Sequence, residues 1–165
     1  VVSIHWGVHY VPKLIAEYQA PAAQAAFDAG ADAIIGSHAH APKAIEMFGD
    51  KPCFYSLSNF LMTGIPKTGE KARLFQERYN VRLDPERPWL PYGMDAKRSL
   101  IAELSFTPDG LDAGFYPVEI GTDMKPRLIQ PGFQHDDALK FMEEVSAGHT
   151  SKFRTDGARV SILQG

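Results

Sequence analysis

The chain has 165 residues, 44% of them hydrophobic and 22% charged, enough apolar material for one domain with its own core. A net charge of −3 offers no basic face for nucleic acid, and no run approaches the ~18 apolar residues of a membrane span. The only cysteine, Cys53, excludes an internal disulfide, and its neighbours Phe54 and Tyr55 indicate a buried strand thiol rather than a nucleophile.

The chain opens directly on an apolar strand, Val1 to Ile4, with no initiator Met or leader ahead of it. We therefore expect a piece of a longer polypeptide, and localisation stays open. The β-branched run favours a buried strand over a helix and places His5 at its carboxyl end. Pro21 to Ala29 reads as a helix, with Pro in the first turn, a high Ala content and Gly30 as its stop. Ala33 to Ile35 is a second short strand, ended by Gly36 and followed by Ser37-His38-Ala39-His40. Strand, helix and strand over about 35 residues form a βαβ unit whose right-handed crossover makes the strands parallel, so both histidine-bearing ends point the same way.

Side chains converge beyond the carboxyl ends of strands in α/β sheets, and neutral imidazole is a common metal ligand. His38 and His40 alone admit two readings, a metal site or a polar surface loop. Asp32, Asp50 and Asp95 are candidates for a carboxylate partner only in being acidic, and Asp32 reads as a helix-terminal or turn residue.

Ala44 to Met47 and Cys53 to Ser56, joined by Phe48-Gly49-Asp50-Lys51-Pro52, form a hairpin or two consecutive strands. Asn59, in the following loop, suits a capping amide better than a ligand. Gly64 to Arg98 holds four prolines, eight of the seventeen basic residues, and Tyr79, Trp89 and Tyr92, without a clean period. Such a segment is either a lid offering Arg and Lys to an anionic substrate or a solvated insertion packed on the core. Ser99 to Phe106 and Leu111 to Val118 alternate about the turn Pro108-Asp109-Gly110, an antiparallel hairpin with one buried face. Ala138, Phe141, Met142 and Val145 mark an amphipathic helix over Asp136 to Val145, with His135 ahead of it and His149 after it as capping or surface residues. No repeat or second-domain boundary is visible.

His5-Trp6-Gly7-x-x-Tyr10, Gly30-Ala31-Asp32 with Ile35-Gly36-Ser37-His38-Ala39-His40, and Tyr55-Ser56-Leu57-Ser58-Asn59-Phe60 stand in an order and spacing that together resemble the CapA family of bacterial capsule and poly-γ-glutamate synthesis proteins. That family is related to the calcineurin-like metallophosphoesterases. The likeness covers the first sixty residues well and the later hairpin more loosely. It implies an α/β fold, the C-terminal half of a calcineurin-like α/β/β/α sandwich with mixed sheets, in which residues 1–165 are one part of a domain with a lid-like insertion at 64–98. By position it implies His5, His38 and His40 as ligands of divalent metal ions, a dinuclear pair of Mn, Fe or Zn. On this reading we expect His9 and Tyr10 to orient substrate or donate a proton, and Asn59 to hold the loop beside the metals. Trp6, Arg82, Arg87 and Arg98 would contact an anionic polymer or a small-molecule substrate. Metal-assisted hydrolysis or transfer is the expected chemistry, with a non-catalytic module of a polymer synthesis or export assembly as the alternative.

Two substitutions and one absence depart from the family pattern. Ser58 replaces the usual glycine, and His9 stands where glutamate is common. The Asp-x-His, bridging aspartate and Asn-His of calcineurin-like sites are absent from this chain, so three imidazoles would leave the charge of a metal pair uncompensated. The missing N-terminal half is expected in the same or a partner chain.

Overall fold

The computed structural model describes residues 1–62 and 64–165. Two sheets and three helices make an α/β fold, as the strand and helix patterns predict. The first sheet is mixed, with order β1-β2-β4-β3. It comprises β1 (Val2–His5), β2 (Ile34–Ser37), β3 (Ile45–Phe48) and β4 (Lys51–Phe54). The second is antiparallel, order β5-β6-β9-β8 with β7 added on β6. Its strands are β5 (Arg98–Thr107), β6 (Gly110–Ile120), β7 (Pro126–Leu128), β8 (Ser151–Asp156) and β9 (Arg159–Gln164).

The βαβ unit forms as expected. β1 and β2 are adjacent and parallel, with His5 opposite Ser37, so His38 leaves the sheet one residue beyond His5's level. The helix between them, α1 (Gln19–Asp28), starts before Pro21 because the Gln19 side chain turns back to accept the Ala16 N–H at 2.9 Å. β1 is an edge strand with alternate residues exposed, less covered than a buried strand would be.

Alternation along the first sheet feeds two cores. Ile34, Cys53 and Tyr55 pack with Trp6, Ala23 and Phe27 beneath α1. Ile45, Met47 and Phe54 pack instead with Leu100, Phe115, Val160 and Ile162 of the second sheet and with Met142 and Val145 of α3 (Phe133–Val145), so one core joins both sheets. Cys53 is the buried strand thiol expected, and burial pushes its pKa far above the ordinary thiol range.

Three features depart from expectation. α3 begins at Phe133, three residues early, and His135 lies inside its first turn, 2% exposed, with Nε2 donating to Ala158 O at 3.2 Å. It is a core residue, held by the turn between β8 and β9. His149, after the helix, is half-buried against Glu46 at 3.2 Å. The segment read as irregular contains α2 (Gly69–Tyr79) and a turn of 3-10 helix at Met94–Lys97. α2 buries no residue; Arg73 bridges Glu70 and Glu77 along its exposed side, and Asn80 ends it in the left-handed conformation.

Candidate functional site

The site begins with strand alternation at the end of β1. Trp6 turns inward, 6% exposed, stacked on Tyr55 with its indole N–H donating to Tyr55 O at 3.0 Å. His5, its neighbour, turns outward. Gly7 follows at φ +90, its N–H donating to the Tyr18 hydroxyl Oη at 2.8 Å. Across the sheet Gly36 leaves room for the Trp6–Tyr55 hydrogen bond, since a Cβ there would stand 2.6 Å from Trp6 Nε1 and overlap Tyr55 O. Both glycines thus serve backbone geometry, and Trp6 has its polar atom turned into the core rather than toward a substrate.

Four imidazoles meet beyond these strand ends. His38 Nδ1 lies 2.5 Å from His5 Nε2, and the two rings meet edge to face at 4.3 Å. His9 packs on His38 with ring centroids 3.8 Å apart and lies 6.2 Å from His40. Each of the outer rings has an orienting partner. His5 Nδ1 is 3.2 Å from Ser37 Oγ, and His40 Nδ1 donates to Asn59 Oδ1 at 2.7 Å, which leaves His40 Nε2 with its lone pair free. Asn59, 4% exposed, completes the clamp by donating to Ala96 O at 3.1 Å.

The backbone around the cluster is strained. Tyr10 (φ 64), His38 (φ 99), His40 (φ 57) and Ser58 (φ 74) are four of the six non-glycine residues at positive φ among those described. Such conformations cost about 1–3 kcal/mol each, persist only where the surrounding structure over-determines them, and cluster at functional sites. The Tyr10 N–H donates to Ala39 O at 2.8 Å, tying the loop after β1 to the His38–His40 loop. Lys43, 2% exposed, secures it from below by donating to Leu14 O at 2.8 Å and to Val11 O.

Burial lowers the pKa of His9, of His38 and of His40, with mutual repulsion among the histidines adding to each. The rings therefore stand neutral at pH 7, the form that ligates metals. No carboxylate is among the groups that shift them. Among the described residues no three His, Cys, Asp or Glu side chains are arranged as a metal-ligand group. The donor chemistry suits an ion of the Zn or Mn class, but His5 Nε2 and His38 Nδ1 stand closer than two ligands on one ion, which at metal–nitrogen distances of about 2.0–2.1 Å lie some 3 Å apart. They fit after a separation of under about 1 Å, within the reach of side-chain rotation.

The insertion supplies a wall to this cluster. Tyr92 lies parallel to His40 at 3.9 Å, and Tyr10 contacts Phe75 at 5.1 Å and Tyr79 at 4.8 Å. The segment's aromatic residues, beside the prolines and basic residues, are the signal for this wall in the sequence; α2 brings Phe75 and Tyr79 to one face by their i, i+4 spacing.

The three arginines proposed for substrate lie differently. Arg87, 6% exposed, is saturated by Asp84 at 2.8 Å, Glu119 at 3.1 Å and Ile120 O at 2.7 Å. Arg98 pairs with Asp95 and, at 2.8 Å, with Asp137 on α3. It borders a separate 140 Å³ cavity that contains no histidine. Arg82 alone of the three has no acidic partner among the described residues, and it lines a cleft of 200 Å³ with Tyr10, Val11 and Asn80. Sequence reasoning did not single out Lys43, Lys67, Phe75 or Tyr92 for this site.

A family model described as bacterial capsule synthesis protein PGA_cap matches residues 1–63. The chain is 41% identical over 73 residues to the capsule biosynthesis protein CapA of Bacillus anthracis, covering 44% of this chain and 18% of that protein. It is 43% identical over 75 residues to the PGA biosynthesis protein CapA of Bacillus subtilis (strain 168), covering 44% of this chain and 19% of that protein. The match thus spans about a fifth of the length of these curated relatives. These findings bear out the resemblance to the CapA family, and His5, His9, His38, His40 and Asn59 all lie within the matched residues.

Proposed function

Starting from the CapA-family match of residues 1–63, we propose that this protein acts in capsule or poly-γ-glutamate metabolism as a metal-dependent hydrolase or transferase, with the histidine cluster as its centre. The convergence of His5, His9, His38 and His40 at two parallel strand ends, oriented by Ser37 and Asn59, carries the reading.

His5, His38 and His40 would hold divalent metal, which when bound polarises a phosphoryl or acyl centre and lowers the pKa of water. This chain's imidazoles suit one ion or one side of a pair, since no carboxylate joins them. Asn59 fixes the tautomer of His40 and presents its Nε2. His9, packed on His38, offers a neutral nitrogen as proton acceptor. Tyr10, whose hydroxyl burial keeps protonated, is a hydrogen-bond donor to a bound oxygen. Arg82, in the cleft beside Tyr10, is placed to contact an anionic chain.

The full-length protein purified without chelator should contain near-stoichiometric Mn, Fe or Zn, and His38→Ala should lose it together with hydrolysis of phosphoester or γ-amide substrates. The lack of a ready ligand group among the described residues favours a second reading, a non-catalytic module of a polymer synthesis or export assembly. Metal-free protein whose polymer output survives His38→Ala would establish that reading instead.

A further inference from the structure

We propose that Lys67, held against the aromatic wall beside His40, is the cation that recognises an oxyanion, carboxylate or phosphate, of the molecule handled at the histidine cluster. The proposal rests on the histidine cluster being a working site, as argued above, and adds the substrate class and the residue that selects it.

Lys67 Nζ lies 4.3 Å from the centroid of Phe75 and 5.2 Å from that of Tyr92, the ring stacked on His40. One of its N–H groups donates to Pro91 O at 3.0 Å. No carboxylate lies within ion-pair distance of it among the described residues. Four other cations of this insertion are paired, whereas Arg82, also without an acidic partner among the described residues, lines the separate cleft beside Tyr10. Arg73 is held by Glu70 and Glu77, Arg87 by Asp84 and Glu119, Lys97 by Glu119 at 3.7 Å, and Arg98 by Asp95 and Asp137. Lys67 therefore reaches the histidine side of the insertion with its charge uncompensated.

Ring faces attract an ammonium without quenching its remaining N–H donors, and they strip part of its hydration. A partly desolvated cation with free donors binds an oxyanion more strongly than a fully hydrated lysine does. The half-buried faces of Tyr10, Phe75 and Tyr92 flank the same spot and suit an aliphatic or planar portion next to that anion. A glutamate-type side chain, carboxylate on methylenes, has this form, and so does a phosphate ester on an organic group.

The two sources separate by titration calorimetry on the full-length protein, with a short oligo-γ-glutamate as one probe and phenyl phosphate as the other. Lys67→Met, which keeps the stem over the rings, should weaken binding of one probe by at least about tenfold, the loss of a hydrogen bond to a charged group. Lys67→Arg should stay within about threefold, since it keeps a cation on the rings. Melting temperature and metal content should match the unsubstituted protein in both variants. The inference is overturned if neither probe binds the unsubstituted protein, or if Lys67→Met binds both probes unchanged. It also fails if both variants lose binding and melting temperature together, the behaviour of a latch between residue 67 and Pro91. A metal-free protein in which the tenfold loss persists would leave Lys67 as the anion site and remove the metal reading. Metal retained with binding unchanged would do the reverse.

Discussion

Replacing Ser58 with Gly should stabilise the protein by about 2 kcal/mol. Ser58 stands at φ 74, in the left-handed region where an L side chain costs about 1–2 kcal/mol. Its Oγ is buried and has no hydrogen-bond partner among the described residues, a desolvation cost of about 1–3 kcal/mol. Glycine removes both terms and returns about 0.5–1 kcal/mol to the unfolded chain as added freedom. Its backbone keeps the N–H donated to Ser56 Oγ at 3.1 Å and the bridge to Ser99. For a chain of this size the gain corresponds to a rise in Tm of roughly 4–8 °C. Scanning calorimetry on Ser58→Gly and Ser58→Ala separates the contributions, because alanine removes the hydroxyl and leaves the strained φ. Glycine should exceed alanine by about 1 kcal/mol. A glycine variant less stable than the unsubstituted protein, or no better than alanine, would refute the reasoning. The glycine usual at this place in the CapA motif thereby acquires a mechanical reason.

Other perturbations test the packing around the histidines. Burial lowers Lys43 to a pKa of about 8 from 10.5. The charged form is therefore penalised fully below pH 8, and stability is regained as pH rises from 8 to 10.5, where the unfolded chain binds a proton that the native chain does not. The stability of the unsubstituted protein minus that of Lys43→Met, from urea unfolding between pH 7 and 10.5, should climb by about 3 kcal/mol over that window; a flat difference would contradict the burial. Arg87→Ala leaves Asp84 buried and unpaired, so the insertion should become proteolytically labile with a loss of about 3–5 kcal/mol. A raised KM at unchanged stability would restore Arg87 to substrate contact. Asn59→Ala should weaken metal binding about 10–100-fold by freeing His40, and an unchanged metal Kd would argue that His40 is not a ligand.

What could be read from sequence is what depends on short-range pattern. The βαβ unit, the β3–β4 and β5–β6 hairpins and α3 follow from alternation, helical period and glycine placement, and they suffice to bring His5 to the level of Ser37. α2 escaped because it buries nothing; its aromatic pair Phe75 and Tyr79 packs on Tyr10, a partner some sixty residues away that no local period reveals. The β8–β9 hairpin went unread although Asp156-Gly157 between alternating residues is a turn signal. His135 and Lys43 look like surface residues because their partners, Ala158 O and the carbonyls of Val11 and Leu14, are backbone atoms contributed by tertiary structure.

The hydrogen bond from Asn59 to Ala96 O has a mechanical meaning. The same amide grips His40 on one side and the 3-10 turn of the insertion on the other. Displacing that turn would take one acceptor from Asn59, the side chain that orients His40, and would carry with it the insertion whose Tyr92 covers the His40 ring. The position of the insertion and the orientation of His40 are thus mechanically linked through one amide.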